Sequence, residues 1–189
     1  MNKHLNGSRE SITSILLILS FLVGCDYHVD SVYLGRNEAG FLENVCMGNI
    51  EAVNEFLDNR GNVNLQDEPG MTPLHHAVNS DWKESHLEMI KLLIERGAIV
   101  NAIDDTHHTP LHMASNATVA GLLIDAGADV NAKIKSTGET LLFSAAWGAA
   151  QGHRKSHQMY LDLTKLLLAK GANVNVKLRE GSMIKDEKP

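Results

Sequence analysis

The sequence predicts a mainly α-helical protein: a stack of about four helix-turn-helix repeats with short β-turn fingers. Three observations carry that expectation. One phrase recurs with drift, as Arg60-Gly61-Asn62-Val63-Asn64, Arg96-Gly97-Ala98-Ile99-Val100-Asn101-Ala102, Ala126-Gly127-Ala128-Asp129-Val130-Asn131-Ala132 and Lys170-Gly171-Ala172-Asn173-Val174-Asn175. A second phrase interleaves with it, as Thr72-Pro73-Leu74-His75-His76-Ala77, Thr109-Pro110-Leu111-His112-Met113-Ala114 and the worn copy Thr140-Leu141-Leu142-Phe143-Ser144-Ala145. Between the phrases, apolar residues fall at helical spacing, as in Leu87, Ile90, Leu92, Leu93 and Ile94. A period of this length means stacked supersecondary units, each burying an apolar face against the next. Such an array offers a long continuous surface, so the chain reads as a binder before it reads as an enzyme.

The first 25 residues carry a separate signal. Lys3 and Arg9 make a weakly basic start that Glu10 dilutes, and Ile12 to Val23 is apolar apart from Thr13, Ser14 and Ser20. The run is short of the roughly 20 residues that span a bilayer, and it has the length and flanks of a secretory signal. It ends in Leu22-Val23-Gly24-Cys25, which resembles a bacterial lipobox. The resemblance implies that residues 1–24 are a lipoprotein signal peptide and that Cys25 becomes the acylated first residue of the mature protein, palmitate included. An ordinary cleaved signal, or an uncleaved anchor, is the alternative. Asp26 after the Cys implies, by the sorting habit of enteric-type bacteria, the periplasmic face of the inner membrane rather than the outer. With Cys25 lipidated, Cys46 is left as a free thiol, read as a small hydrophobe in an apolar helical stretch. Residues 25–40 then comprise the lipidated Cys and a tether without clear period, whose 15 residues after the Cys reach at most about 50 Å.

Each repeat is built the same way. The Thr before Pro-Leu-His is a helix start, because its hydroxyl can cap free backbone N–H groups and Pro is tolerated at the first helical position. A short helix, a loop and a second amphipathic helix follow. Gly97, Gly127 and Gly171 end that second helix in a left-handed conformation, and Gly61 is expected to do the same in the first unit. The Val-Asn segment then leads into a turn with Gly70 or Gly138 near its tip. His107 holds that position in the third unit, and His is among the few non-Gly residues that enter positive φ.

This pattern resembles the ankyrin repeat, most specifically in Thr72-Pro73-Leu74-His75 and Thr109-Pro110-Leu111-His112. The resemblance implies an ankyrin-repeat solenoid over residues 41–177. Its first unit, Phe41 to about Asp67, lacks the Thr-Pro start and serves as a cap; the second runs to about Asp104, the third to about Lys133 and the fourth to about Lys177. The fourth has Leu141 in place of Pro and Phe143 in place of His, as suits a terminal unit facing water on one side. In the family, His at the positions of His75 and His112 holds backbone and Thr groups, and the turn tips with the first helices form the concave binding face. Residues 178–189 are mostly polar and read as a flexible tail.

The repeats are unequal. Thr72 to Gly97 is 25 positions, Thr109 to Gly127 is 18, and Thr140 to Gly171 is 31. With both helix ends recognisable, the extra length is expected in loops between the helices of units 2 and 4, flanking a short unit 3 and leaving a notch. Trp82 lies in one such segment; Trp147 opens the other, which also carries Arg154, Lys155 and Tyr160. Trp, Tyr and Arg dominate interface hot spots, and the basic pair in an acidic chain points to an acidic patch on the partner. Local packing is the competing reading for both tryptophans. The turn tips are the other candidate surface, with Met71, His107, His108 and Glu139, their chemistry changing from unit to unit.

Charge and composition narrow the function. The chain carries a formal net charge of −6, and removal of residues 1–24 makes it one unit more negative. A nucleic-acid binder would need a basic face. Ten histidines invite a metal reading, yet no His-Glu-x-x-His or paired Cys spacing is present. His153 and His157 would share a face only on a helix, and surface decoration is the default. No Gly-x-Ser-x-Gly elbow and no phosphate-cradling loop occur. A Cys–His pair through Cys46 would need a His brought close by folding, for which the sequence offers no support. No cofactor, metal or catalytic residue is assigned.

The expectation is a non-catalytic protein-binding module, monomeric and tethered to the cell envelope through lipid on Cys25. The chain resembles ankyrin-repeat lipoproteins that act as immunity proteins against secreted antibacterial effectors. A periplasmic scaffold or accessory factor for a resident envelope protein, linked to stress defence, is the alternative.

Overall fold

The computed structural model describes residues 36–80, 84–150, 157–176 and 178. Cys25, Trp82, His153, Arg154, Lys155 and the segment from residue 179 onward lie outside the described residues. Among those described, the chain forms seven α-helices and one 3-10 turn, with no strand. The helices are α1 (Arg36–Met47), α2 (Ile50–Asp58), α3 (Pro73–Asn79), α4 (Glu84–Glu95), α5 (Ala117–Asp125), α6 (Leu141–Ala150) and α7 (His157–Ala169), with the 3-10 turn at Pro110–Met113. They pair as antiparallel hairpins: α1 with α2, α3 with α4, the 3-10 turn with α5, and α6 with α7. Successive units stack, α1 against α3 and α3 against the 3-10 turn in one row, α2 against α4 and α5 against α7 in the other.

The stack buries one continuous core. Leu42, Val53, Leu74, Met89, Ile90, Leu93, Leu111, Leu123, Leu163 and Leu167 lose almost all contact with water. Every residue from Met71 to Val78 is buried, so α3 is surrounded, whereas the second helices keep an exposed stripe. Removing a leucine of this kind to Ala typically costs about 2–5 kcal/mol.

The recurrent phrases have physical work in this stack. Thr72 and His75 close a reciprocal capping box at the start of α3. His75 Nδ1 accepts the Thr72 backbone N–H at 3.1 Å, so the ring proton sits on Nε2 and is donated to the His108 carbonyl at 3.2 Å in the next unit. Thr109 and His112 repeat the device, and His112 Nε2 donates to the Ala132 carbonyl at 3.0 Å. In the fourth unit Phe143 replaces the His and offers neither bond; its own N–H reaches Thr140 Oγ1 only at 3.5 Å.

The Asn of each of the first three Val-Asn segments is a clamp between units, a role its spelling alone does not reveal. Asn64 Nδ2 donates to the Gly97 carbonyl at 3.1 Å while its Oδ1 accepts the Ile99 N–H at 2.8 Å. Asn101 holds Gly127 and Asp129 in the same way, at 2.9 and 2.8 Å. Asn131 holds Gly171 and Asn173, at 3.5 and 2.7 Å. One amide side chain thus fixes the helix-ending loop of the next unit from both sides.

Two expectations need correction. Gly61 does not end the first unit's helix in the left-handed region; Arg60 does, at φ 65°. Counting back four residues from each clamp Asn places Arg60 in the column of Gly97 and Gly127, and Gly61 in the column of Ala98 and Ala128. The hydrogen bonds agree: Gly61 N donates to Phe56 O as Ala98 N donates to Leu93 O. Gly61 is needed instead for close approach, since a Cβ there would fall 2.1 Å from the Phe56 ring, which stacks on Phe41 at 4.1 Å.

The second correction concerns the extra length. Only residues 80–83 separate α3 from α4, and 151–156 separate α6 from α7. Much of the difference is absorbed by the helices: α4 and α7 have 12 and 13 residues against 9 in α5. The first helices of units 2 and 4 have 7 and 10 residues against the 4 of the 3-10 turn. Trp147 accordingly sits within α6 and not in a loop. Adding helical turns extends a hairpin while keeping its backbone bonds paired, which a buried loop could not do. The shortened third unit leaves a recess beside its hairpin turn, a cavity of about 210 Å³ between Ala77, Leu87 and Ile90 of unit 2 and Ser115, Asn116 and Val119 of unit 3.

Candidate partner-binding surface

Three turn fingers precede the first helices of units 2, 3 and 4. Each is closed by a pair of backbone bonds: Asp67 N to Met71 O with Gly70 N to Asp67 O, Asp104 N to His108 O with His107 N to Asp104 O, and Ile134 N to Glu139 O with Gly138 N to Ile134 O. Gly70, His107 and Gly138 all take positive φ, at 77°, 65° and 76°, as read from the sequence. The Asp105 N–H donates to the Pro69 carbonyl at 3.0 Å, joining the first two fingers side by side.

The finger of unit 3 presents the densest polar cluster. Asp104 is buried, and burial alone would raise its pKa. The Thr106 hydroxyl at 2.7 Å, the His108 N–H at 2.8 Å and the nearby His108 ring outweigh that cost and hold its carboxyl below the usual value. His108 is partly exposed, with Nδ1 against the Thr106 hydroxyl, and its ring meets His112 edge-on at 5.8 Å. His107 is half-buried at the tip. Glu139 is half-buried at the equivalent end of the last finger, and its N–H is held by the Thr137 hydroxyl.

The candidate residues therefore divide. His107, His108 and Glu139 lie on one row of fingers, and Trp147 stands on α6 with 55% of its surface exposed. Met71 does not belong with them. It is 2% exposed, because the chain has already turned under α3 where it meets the buried Thr72. Tyr160 is half-buried on α7, and its ring crosses Gly148 of α6, where a Cβ would fall 2.9 Å away. That ring face serves the hairpin. Trp82, Arg154 and Lys155 lie outside the described residues. Ile103, beside the second finger, is 49% exposed and was not singled out from the sequence. Its signal was available as an aliphatic residue in a position where Gln66 and Lys133 are polar.

His75 and His112 serve the fold, each tying its capping box to the next unit. Desolvation lowers the pKa of both His75 and His112, although each donates to a carbonyl that favours protonation. His157 Nδ1 bonds to the Ala149 carbonyl at 2.9 Å, tying α7 back to α6. Among the described residues no three His, Cys, Asp or Glu side chains are grouped to hold a metal ion, and no helix is long and apolar enough to cross a membrane.

Capping boxes, side-chain clamps and fingers in register define a solenoid of helical hairpins, a class whose work is done by its surface. The chain belongs to the ankyrin repeat family: residues 42–134 match the profile for ankyrin repeats in three copies, and residues 137–178 match the single ankyrin repeat. An ankyrin repeat-containing protein of Treponema pallidum (strain Nichols) is 39% identical over 140 residues, covering 72% of this chain and 42% of that protein. Protein phosphatase 1 regulatory subunit 27 of Mus musculus is 35% identical over 100 residues, covering 51% of this chain and 62% of that protein. Human neurogenic locus notch homolog protein 1 is 32% identical over 126 residues, covering 65% of this chain and 4% of that protein. The chain thus spans less than two thirds of each of these relatives. Ankyrin repeats are generally non-catalytic interaction modules, and their presence marks this chain as a protein-binding module.

Proposed function

We propose that the protein captures a single protein partner on the rim formed by its fingers and α6, and that it does so at the periplasmic side of a membrane, anchored by lipid on Cys25. The observation that supports the binding surface is Trp147: a large aromatic, 55% exposed, on a helix whose opposite face is sealed into the core by Leu141, Leu142 and Ala145. Burying that indole against a partner would contribute as interface tryptophans do, and the fingers ahead of the first helices supply polar groups that differ from unit to unit. The lipobox-like Leu22-Val23-Gly24-Cys25 supports the anchor. Tethering raises the local concentration of the module where an incoming protein arrives.

Two biological settings fit such a module. In the first, the partner is a secreted antibacterial effector and the protein confers immunity by covering the effector stoichiometrically. In the second, the partner is a resident envelope protein that the module scaffolds. Capture on the lipidated chain in unstressed cells, followed by challenge with effector-bearing competitors, separates them: a resident complex recovered without challenge favours the scaffold. Trp147→Ala is expected to weaken capture about 10- to 100-fold with an unchanged melting temperature. Equal capture by the variant would remove Trp147 from the interface.

A further inference from the structure

Folding brings together a group of side chains that no local motif announces. Cys46 lies near the end of α1, His76 on α3 and Asp67 at the base of the first finger. His76 Nε2 is 2.8 Å from Asp67 Oδ2, and Asp67 Oδ1 accepts the Met71 N–H at 2.7 Å. The carboxylate is thereby held from both oxygens. Because Nε2–H is donated to it, Nδ1 of His76 carries the ring's lone pair, and the Cys46 Sγ stands 3.8 Å from that nitrogen. Cys46 is 5% exposed, and the His76 and Asp67 side chains are 1% and 7% exposed.

A second observation comes from another element. His86 on α4 donates Nε2–H to the Cys46 carbonyl at 3.0 Å, and the ring is 5% exposed. Its other nitrogen, Nδ1, is a buried acceptor with no hydrogen-bond partner among the described residues.

We propose that Cys46 is a modification site, a thiol primed by His76 and Asp67 for oxidation by a small peroxide to the sulfenic acid. The thiol proton moves from Sγ to His76 Nδ1, and Asp67, a positioning residue, faces the imidazolium so formed. The sulfur attacks one peroxide oxygen and the O–O bond breaks. The departing oxygen takes the proton from His76, leaving as water when the oxidant is hydrogen peroxide. Sulfur loses two electrons, the peroxide gains them, and the product is Cys46–SOH. Near-complete burial restricts the reaction to oxidants the size of hydrogen peroxide, because bulky electrophiles cannot reach the sulfur.

The test uses the full chain, pulsed with hydrogen peroxide, quenched with catalase and only then unfolded in urea containing dimedone, so that the trapping reagent reaches the sulfur, and read at the Cys46 peptide by mass spectrometry. The working pH is mildly acidic, where an ordinary thiol is almost wholly protonated. Cys46 in the folded protein is expected to label about tenfold faster than in the urea-unfolded protein, since a positioned base offsets the missing thiolate. Asp67→Asn, with its helical circular dichroism intact, is expected to lose most of that advantage and to need higher pH to react. Labelling in the folded chain that equals or trails the unfolded chain overturns the proposal. So does a folded Asp67→Asn chain with an unchanged pH–rate profile. If Asp67→Asn fails to fold, the folded-against-unfolded comparison on the native sequence decides the matter alone.

Discussion

Arg60 occupies a backbone position that its neighbours in the stack give to glycine. Its φ of 65° costs a residue with a Cβ about 1 kcal/mol, whereas Gly adopts it freely. The Arg60 side chain is exposed, so little packing is lost on removing it. Arg60→Gly is expected to raise stability by about 0.5–1 kcal/mol in urea unfolding, and Gly61→Ala to lower it, because the Phe56 ring must move. The histidine pairs set a pH dependence at the same scale. His75 and His112 have folded pKa values below their ordinary 6.5, owing to burial, so the unfolded chain binds more protons in acid. Their contribution is complete above that ordinary value and is lost as pH falls from it toward the lowered folded values. The urea midpoint should therefore drop between about pH 7 and about pH 5, and less steeply in a His112→Gln chain. This residue-level logic was half legible. Thr-Pro-Leu-His and the αL role of His107 could be read directly, but Gly61 falls one column late, because in the first copy the Gly stands one position nearer its Asn and Arg takes the αL position.

At the scale of elements, the repeats communicate through the Asn clamps and the histidine-to-carbonyl bonds more than through charge. Arg96 to Asp58 and Lys170 to Asp125 also bridge units, but they are exposed pairs and contribute little. Asn101 makes two bonds to the loop of the following unit. Asn101→Ala is expected to cost about 1–2 kcal/mol and to broaden the unfolding transition, as coupling between units 2 and 3 weakens. A transition that stays equally sharp, with an unchanged midpoint, would show that packing alone couples the units. The Asn recurrence was visible as spelling in the sequence. Its meaning was not, because both partners of each Asn lie more than 20 residues away, as in Asn101 to Gly127. The helix lengths were misread for a related reason: end signals mark where a hairpin starts and stops, while the turn between its helices can fall anywhere that keeps backbone groups paired.

For the molecule as a whole, stacking four hairpins with one truncated unit yields a rigid body with an uneven edge, a recess beside unit 3 and an exposed Trp147 beyond it. The tether reading belongs at this scale. Cys25→Ser is expected to move the protein from the membrane to the soluble fraction of lysed cells and to abolish palmitate labelling. Retention in the membrane would favour the uncleaved-anchor alternative.

By itself the sequence determined the family, the number of units, the starts of the first helices in units 2 to 4 and the conformation of the fingers. Each of these depends on residues within a few positions of one another, where capping, φ preference and helical spacing act. Only the tertiary structure decided which candidates reach the surface. It buried Met71, laid Tyr160 across its own hairpin, left Trp147 exposed, and gathered Cys46, His76, Asp67 and His86 from elements of two units into one place. Burial and encounter depend on how unequal hairpins stack, and that is fixed by long-range packing that no short stretch of chain encodes.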